Sequence, residues 1–276
     1  MAGMLYLVPT PIGNLGDISQ RCRETLEQAD FIAAEDTRVS LKLLNHLGIK
    51  KSLVSYYEHN KTFKGDKIVE RILAGETCAL VSDAGSPAIS DPGEDLVKQC
   101  AQAGITVCAI PGPCAAITAL SISGQATGRF CFEGFLSTAK KSRREHLESL
   151  AKEQRTMIFY EAPHKLVNTL SDMASVFGED RPLSLCRELT KLHEEVVRTT
   201  LGEAIAKYTE TPPKGEFVLV VAGAPAEEKE TASSEDAATR LSQLLDQGLS
   251  RKDAVKQTAQ ELELPKNVVY EISLQL

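Results

Sequence analysis

Four short apolar runs constrain the fold most: LYLVPT (5–10), FIAAED (31–36), TCALVS (77–82) and ITVCAI (105–110). Each is too brief for a helix, and none alternates apolar with polar residues. A strand that is apolar at successive positions must be buried on both faces, the condition of a parallel sheet covered by helices on each side. Helical spacing fills the intervals, at Ile18, Cys22, Leu26 and Ala29, then at Leu41, Leu44 and Leu47 before Gly48, then over Ile68–Leu73 and Asp95–Ala103. Asp17 is expected to cap the first of these helices. A fifth run, LVSYYEHN (53–60), completes an α/β series.

SGQATGRF (123–130) is rich in small and turn-forming residues and reads as a boundary. A second α/β series follows: FCFEGF, a helix from about Lys141 to Lys152, TMIFYEAP, a helix over Leu166–Met173, PLSLCREL and EFVLVVAG. It reads as partly antiparallel, because VVRTTLGE is a strand leading into a short helix. APAEEKETASSED (224–236) is acidic and poor in hydrophobes, which suits a linker. The remainder is helical, with turns at DQGLS and ELPKN, and is open to two readings: a nucleic-acid-binding helical unit or a docked helical pair. The expected organisation is therefore α/β: an N-terminal α/β domain over 1–122, a second over 123–224, a linker over 225–236 and a helical tail over 237–276.

With 42% apolar and 25% charged residues the chain belongs with soluble globular proteins. Its seven cysteines form no CxxC pair and sit mostly among apolar or small residues, as reduced thiols do. MAGMLYLVPT has no basic n-region, and no run nears the ~20 apolar residues of a membrane span. A cytoplasmic protein is expected. A net charge of −7 argues against indiscriminate nucleic-acid binding, although AKKSRREH (139–146) gathers Lys140, Lys141, Arg143 and Arg144 into one basic run. The plainer reading of that run is a solvated helix start.

Ligands of parallel α/β sheets bind beyond the carboxyl ends of the strands. Those ends read PTPIGNLGD, AEDTR, YYEHN, SDAGSPAISDPG, PGPCAA, YEAPHK and RELTK, a density of polar and turn-forming residues that favours a cleft. No loop is a Walker motif, GNLGD is not GxGxxG, and the five histidines lack HxH or HExxH spacing, so no metal is expected. Glu35–Asp36 and Glu58–His59 retain the option of weak hard-cation binding, beside that of helix caps and surface ion pairs. Ser86 is not in a nucleophile elbow. SDAGSPAISDPG is glycine-rich like a phosphate loop, yet it carries Asp83 and Asp91 and no lysine or arginine. An acidic loop with abundant backbone suits a cation with many hydrogen-bonding groups, and S-adenosyl-L-methionine is such a ligand.

In this order LYLVPTPIGNLGDI, AEDTR, YEHN, LVSDAGSPAISDPG, PGPCA, YEAPHK and RELTK resemble the bacterial 2′-O-ribose methyltransferases of small-subunit ribosomal RNA, within the tetrapyrrole-methylase superfamily. The likeness runs from about Leu5 to Gly223. Ser86 stands where threonine is commoner, and Tyr57 where histidine often precedes Glu-His-Asn. The resemblance implies two α/β domains of the class III methyltransferase type with the cofactor in the cleft between them, a homodimer, and a cytidine ribose of 16S ribosomal RNA as substrate, within the small subunit. Carried over by motif, the cofactor-binding positions are Pro9, Gly85, Ser86, Pro87, Ile89, Cys114, Ala115, Tyr160, Glu161, Leu189, Thr190 and Gly223. The superfamily's aspartate is Ser86 here, with Asp83 as its replacement.

Methyl transfer to a hydroxyl is helped by a general base. Glu35, Asp36, Glu58, His59, Glu188 and Lys191 all stand at or just beyond strand ends; Glu35, Asp36, Glu188 and Lys191 are the favoured catalytic candidates. Arg38 and Arg187, with Lys140, Lys141, Arg143 and Arg144, are candidates for RNA phosphate, and Arg251, Lys252, Lys256 and Lys266 for further contacts from the tail. Salt-bridged structural networks are the alternative for each. A tetrapyrrole-type small-molecule methylase and a non-enzymatic RNA-binding scaffold are the competing functions.

Overall fold

Phe31, Ile32, Ala33 and Ala34 are all buried, and so are Cys78, Ala79, Leu80 and Val81. In the computed structural model, which describes residues 3–58, 61–226 and 233–276, these runs are the second and fourth strands of a five-stranded sheet. Its strands are β1 (Met4–Leu7), β2 (Phe31–Ala34), β3 (Ser52–Ser55), β4 (Cys78–Val81) and β5 (Thr106–Ala109). All pairings are parallel, in the order β3-β2-β4-β1-β5. The connecting helices are α1 (Gln20–Gln28), α2 (Thr37–Leu47), α3 (Lys61–Leu73) and α4 (Gly93–Gln102).

The two-sided burial is visible residue by residue. Ile32, Ala34, Ala79 and Val81 pack with Cys22 and Leu26 of α1 and Leu44 and Leu47 of α2. Their alternates Phe31, Ala33, Cys78 and Leu80 pack on the other face with Ile68 and Ile72 of α3 and Leu96 and Cys100 of α4. Ser19, not Asp17, caps α1, its hydroxyl accepting from the Cys22 N–H; Asp17 instead ends a short 3-10 turn, Leu15–Asp17, capped by Asn14.

The second sheet contains β6 (Phe130–Phe135), β7 (Thr156–Glu161), β8 (Pro182–Arg187), β9 (Glu195–Thr200) and β10 (Phe217–Val221), ordered β6-β7-β10-β8-β9. Only β6 and β7 run parallel; the other pairings are antiparallel. One face packs with α7 (Leu166–Phe177), α8 (Leu201–Glu210) and Leu147 of α6 (Lys140–Ser149) around Met157, Phe159, Leu185 and Leu219. The opposite face, Ile158, Cys186, Val218 and Val220, is covered by Ala116, Ala119 and Leu120 of α5 (Ala115–Ser123). That helix follows β5 in sequence but packs on the second sheet, so the chain changes sheets before α5, within residues 110–114. Both sheets lie in one unit that ends at Ala224.

Residues from Pro225 onward form a separate unit of three helices, α9 (Ser234–Asp246), α10 (Arg251–Glu261) and α11 (Lys266–Ser273). Leu241, Leu244, Ala254, Val255, Ala259 and Val269 make its core. Ser233 and Asp236 form a capping box at the start of α9, so the last residues of the expected linker are helical; 227–232 lie outside the described residues. Among the described residues no helix is long and apolar enough to cross a membrane.

Candidate functional site

The acidic loop after β4 is held by side-chain bonds to backbone, its own and that of the loop after β5. Asp91 Oδ1 accepts from the N–H groups of Ala88 (3.0 Å) and Gly93 (2.8 Å), and Ser86 Oγ donates to the Pro113 carbonyl at 2.9 Å. Gly85 pairs with Thr10 in an isolated antiparallel bridge, which joins the loops leaving the adjacent strands β1 and β4. Gly85, Ala88 and Ser90 all adopt left-handed backbone, with φ of 84°, 68° and 65°. The last two carry Cβ atoms that disfavour it, and such strain concentrates at ligand sites.

This loop forms one wall of a cavity of about 530 Å³. Ile12 and Glu35 add to the same side, Cys114 and Ala115 come from the entry to α5, and the second sheet supplies the rest: Phe135, Tyr160, Glu161, Ala162, Pro163, Cys186, Leu189, Glu216, Phe217 and Val218. Among the described residues five carboxylates line it, Glu35, Asp83, Asp91, Glu161 and Glu216, and no lysine, arginine or histidine does. Burial, then the charges of Asp83 and Asp91, push the Glu35 carboxyl above its ordinary value. Burial likewise raises Asp91, although Gly93, Ala88 and Ile89 donate backbone bonds to it. Such a cavity attracts positive charge.

Phe132 and Phe135 stand edge-on to Tyr160, with ring centroids 5.1 and 5.4 Å away. The register of β6 shifts between Phe132 and Gly134, an irregularity of the kind that re-aims side chains beside sites. Tyr160 Oη accepts from the Ala116 N–H at 3.1 Å and so caps α5, whose own N-cap residue Cys114 makes no such side-chain bond. Burial raises the Tyr160 phenol to about 12, which keeps its proton in place at neutral pH.

A second polar group adjoins the cavity at its Leu189 side. Lys191 Nζ bridges Glu188 Oε1 and Glu216 Oε2, at 2.9 Å each. Burial alone would lower the Lys191 ammonium, but these two carboxylates outweigh it and hold it above its ordinary value; bonds from Lys191 and from the Glu216 N–H hold Glu188 below its own. Glu188 and Thr190 also have positive φ, 52° and 65°. The Thr190 hydroxyl is buried with no hydrogen-bond partner among the described residues. Gly13 lies against this turn so closely that a Cβ there would come 2.5 Å from Lys191 Cγ.

Of the residues expected to bind a cofactor, Asp83, Gly85, Ser86, Ile89, Cys114, Ala115, Tyr160, Glu161 and Leu189 line the cavity. Pro9, Pro87, Thr190 and Gly223 do not. Pro9 packs behind the wall, where a Cβ on Gly112 would come 2.6 Å from its own Cβ. Gly223 is displaced to the far end of β10, against Gln154 and Arg155. Because β10 runs antiparallel to β7, its beginning, Glu216–Val218, meets the cavity, and its carboxyl end points away.

The catalytic candidates separate too. Glu35 is in the wall, whereas Asp36 caps α2 and is clasped by Arg38 at 2.6 Å, which lowers its carboxyl to about 2. Glu188 and Lys191 are paired just outside. Glu58 pairs with Lys61 at 2.7 Å, and His59 lies outside the described residues. Among the basic candidates Lys140, Lys141 and Arg144 are exposed, with Arg144 paired to Glu148. Arg143 instead turns inward to Asp172 (2.6 Å) and the Ser137 and Thr138 carbonyls, and Arg187 donates to the Lys214 carbonyl and Glu195. Both are structural in this geometry, unlike the phosphate contacts expected of them. Among the described residues no three His, Cys, Asp or Glu side chains form a group that could hold a metal ion.

The sequence profile of the tetrapyrrole (corrin/porphyrin) methylases matches residues 4–205. A protein of Synechocystis sp. named ribosomal RNA small subunit methyltransferase I is 51% identical over 274 residues, covering 99% of this chain and 98% of that one. Its namesake in Haemophilus influenzae is 47% identical over 276 residues, covering 99% and 97%. Among solved structures, uroporphyrin-III C-methyl transferase from Thermus thermophilus complexed with S-adenyl homocysteine superposes with a TM-score of 0.56 at 17% identity, over 79% of this chain and 97% of that one. The motifs, the paired sheets and the near full-length identity thus agree that the chain belongs to the tetrapyrrole methylases, and within them to the ribosomal RNA small subunit methyltransferase I family.

Proposed function

We propose that this protein is an S-adenosyl-L-methionine-dependent methyltransferase that modifies the ribose 2′-hydroxyl of a cytidine in 16S ribosomal RNA, acting in the cytoplasm on the small ribosomal subunit. The observation that carries the reading is the cavity with five carboxylates and, among the described residues, no cationic side chain. The names of the relatives and the S-adenyl homocysteine of the Thermus structure support it.

The donor set fits the cofactor. Carboxylates suit its sulfonium and ammonium charges, the backbone of 82–91 and 114–115 offers groups to read the adenosine, and Tyr160 with Phe135 offers ring faces and edges. When bound, S-adenosyl-L-methionine supplies a methyl group activated by its sulfonium. The chain's residues orient the acceptor and receive its proton. Glu35 is the favoured base, because its carboxyl lies in the wall and is more basic than an ordinary glutamate. Asp36, held at about 2, is too weak a base, and Glu188 is neutralised by Lys191. A tetrapyrrole substrate is disfavoured by the density of charge beside the cleft.

The deciding experiment incubates the protein with labelled S-adenosyl-L-methionine and undermethylated small ribosomal subunits, then maps the labelled nucleotide. Label on a cytidine 2′-oxygen is expected; label on a base, or none, overturns the reading. Glu35→Gln is expected to lower kcat by ~10²-fold or more, while a wild-type rate removes Glu35 as the base.

A further inference from the structure

A second cavity, of about 250 Å³, opens on the other side of Ser82 and Asp83, the two residues it shares with the acidic cleft. Its walls are the loop after β1 and one face of α2, and its chemistry is the reverse of its neighbour's. Pro11, Leu15, Val39 and Leu43 make it apolar, Lys42 brings positive charge and His46 an imidazole. Among the described residues neither Lys42 nor His46 has an ion-pair partner, in contrast to the clasped Arg38 nearby. Leu15 and Val39 are 46% and 39% exposed, apolar groups turned to water at the cavity's edge. Ser40, also in the lining, is only 4% exposed, and its hydroxyl is buried without a hydrogen-bond partner among the described residues. Buried polar atoms are nearly always paired, so this one requires an explanation.

Apolar walls, a spare hydroxyl, an unpaired ammonium and an imidazole match one unstacked nucleotide. The base has two apolar faces and a polar edge, and the phosphates on either side are anionic. Enzymes that modify a nucleotide commonly take it out of the stack and hold it between apolar side chains. Asp83, whose Oδ1 accepts from the Asp36 N–H at 3.0 Å, divides this cavity from the acidic one and is fixed between them. We propose that the second cavity receives the target nucleotide of the RNA, with Lys42 and His46 toward its phosphates and its ribose toward the Ser82–Asp83 wall. The proposal rests on the methyltransferase reading above and adds the place where substrate enters.

The test uses the full-length protein with a benzoylphenylalanine photo-cross-linker at exposed Leu15, bound to undermethylated small subunits. The cross-link is expected at the methylated nucleotide or its immediate neighbours. Two variants on exposed positions accompany it, Lys42→Glu with His46→Glu, and the cavity-filling Val39→Trp. Each is expected to raise KM for subunits on the order of tenfold, with calorimetric affinity for S-adenosyl-L-methionine unchanged. Cross-links mapping elsewhere, or wild-type KM in both variants, overturn the nucleotide pocket while wild-type methyl transfer leaves the enzyme reading standing. Wild-type protein that binds cofactor but never labels the subunit overturns both.

Discussion

Glu35 illustrates how the site sets stability against binding. Its folded-state pKa lies above the ordinary 4.5 because burial and the charges of Asp83 and Asp91 disfavour the ionised form. The folded apo-protein therefore holds the proton more tightly than the unfolded chain. Ionised Glu35 lowers stability at neutral pH, and that penalty vanishes as pH falls below 4.5. Glu35→Gln is accordingly expected to raise the Tm of the ligand-free protein at pH 7, measured by calorimetry. The same substitution is expected to weaken S-adenosyl-L-methionine binding about tenfold, roughly 1.4 kcal/mol, since a cation prefers the carboxylate. Wild-type affinity should also decline as pH drops through the raised Glu35 value, and the decline should be shallower in the variant. Asp91 acts differently, through the backbone N–H groups it accepts from, those of Ala88 and Gly93 among them. Asp91→Ala leaves Ala88 and Gly93 without that partner and is expected to cost about 1–3 kcal/mol in denaturant titrations, with loss of cofactor affinity as the loop loosens.

At the scale of elements, Tyr160 matters more as a cap than as a ring. Its hydroxyl receives the Ala116 N–H from across the chain and so fixes the start of α5, where Cys114 and Ala115 face the cavity. Tyr160→Phe keeps both aromatic contacts and removes only this acceptor. A loss of about 1 kcal/mol is expected by chemical denaturation, accompanied by weaker cofactor binding; unchanged affinity would mean that α5 needs no such fixing. Much of this architecture was legible in the sequence. Unbroken apolar runs such as FIAA required burial on two faces, and the loops after β1 and β4 stood out because glycine, proline and acidic residues crowd at strand ends. The rule of reading strand ends has one weakness. It assumes parallel strands, so it passed over Glu216, Phe217 and Val218 at the start of antiparallel β10, while Gly223, carried over by motif, lies beyond that strand's other end. Only the pairing of β10 with β7 shows which end meets the cavity. Nor does a basic run announce which cation turns inward: Arg143 is identical in type to Arg144, yet Asp172, 29 residues later, draws it into the fold.

For the whole molecule, the division near Ala224 separates two sets of buried side chains. The cores of the two sheets are built from residues up to Val221, and the tail's core from Leu241 to Ile272. The cavity's lining likewise ends at Val218. A chain ending at Ala224 is therefore expected to fold and to bind S-adenosyl-L-methionine with unchanged affinity. Its affinity for the small subunit should fall. The tail is acidic in sum, with ten Asp or Glu against six Lys or Arg over 225–276, so bulk charge cannot attract RNA. Attraction has to come from one surface, and α10 offers it. Arg251, Lys252 and Lys256 are exposed there, while Ala254, Val255, Thr258 and Ala259 face the core. Lys252→Glu with Lys256→Glu should reproduce most of the truncation's effect, a several-fold weaker subunit affinity that diminishes at high salt as phosphate contacts are screened. Filter binding across a salt series measures it. Full affinity in the truncated chain would confine RNA recognition to the first unit, whereas loss of cofactor affinity would make the tail a structural part of it.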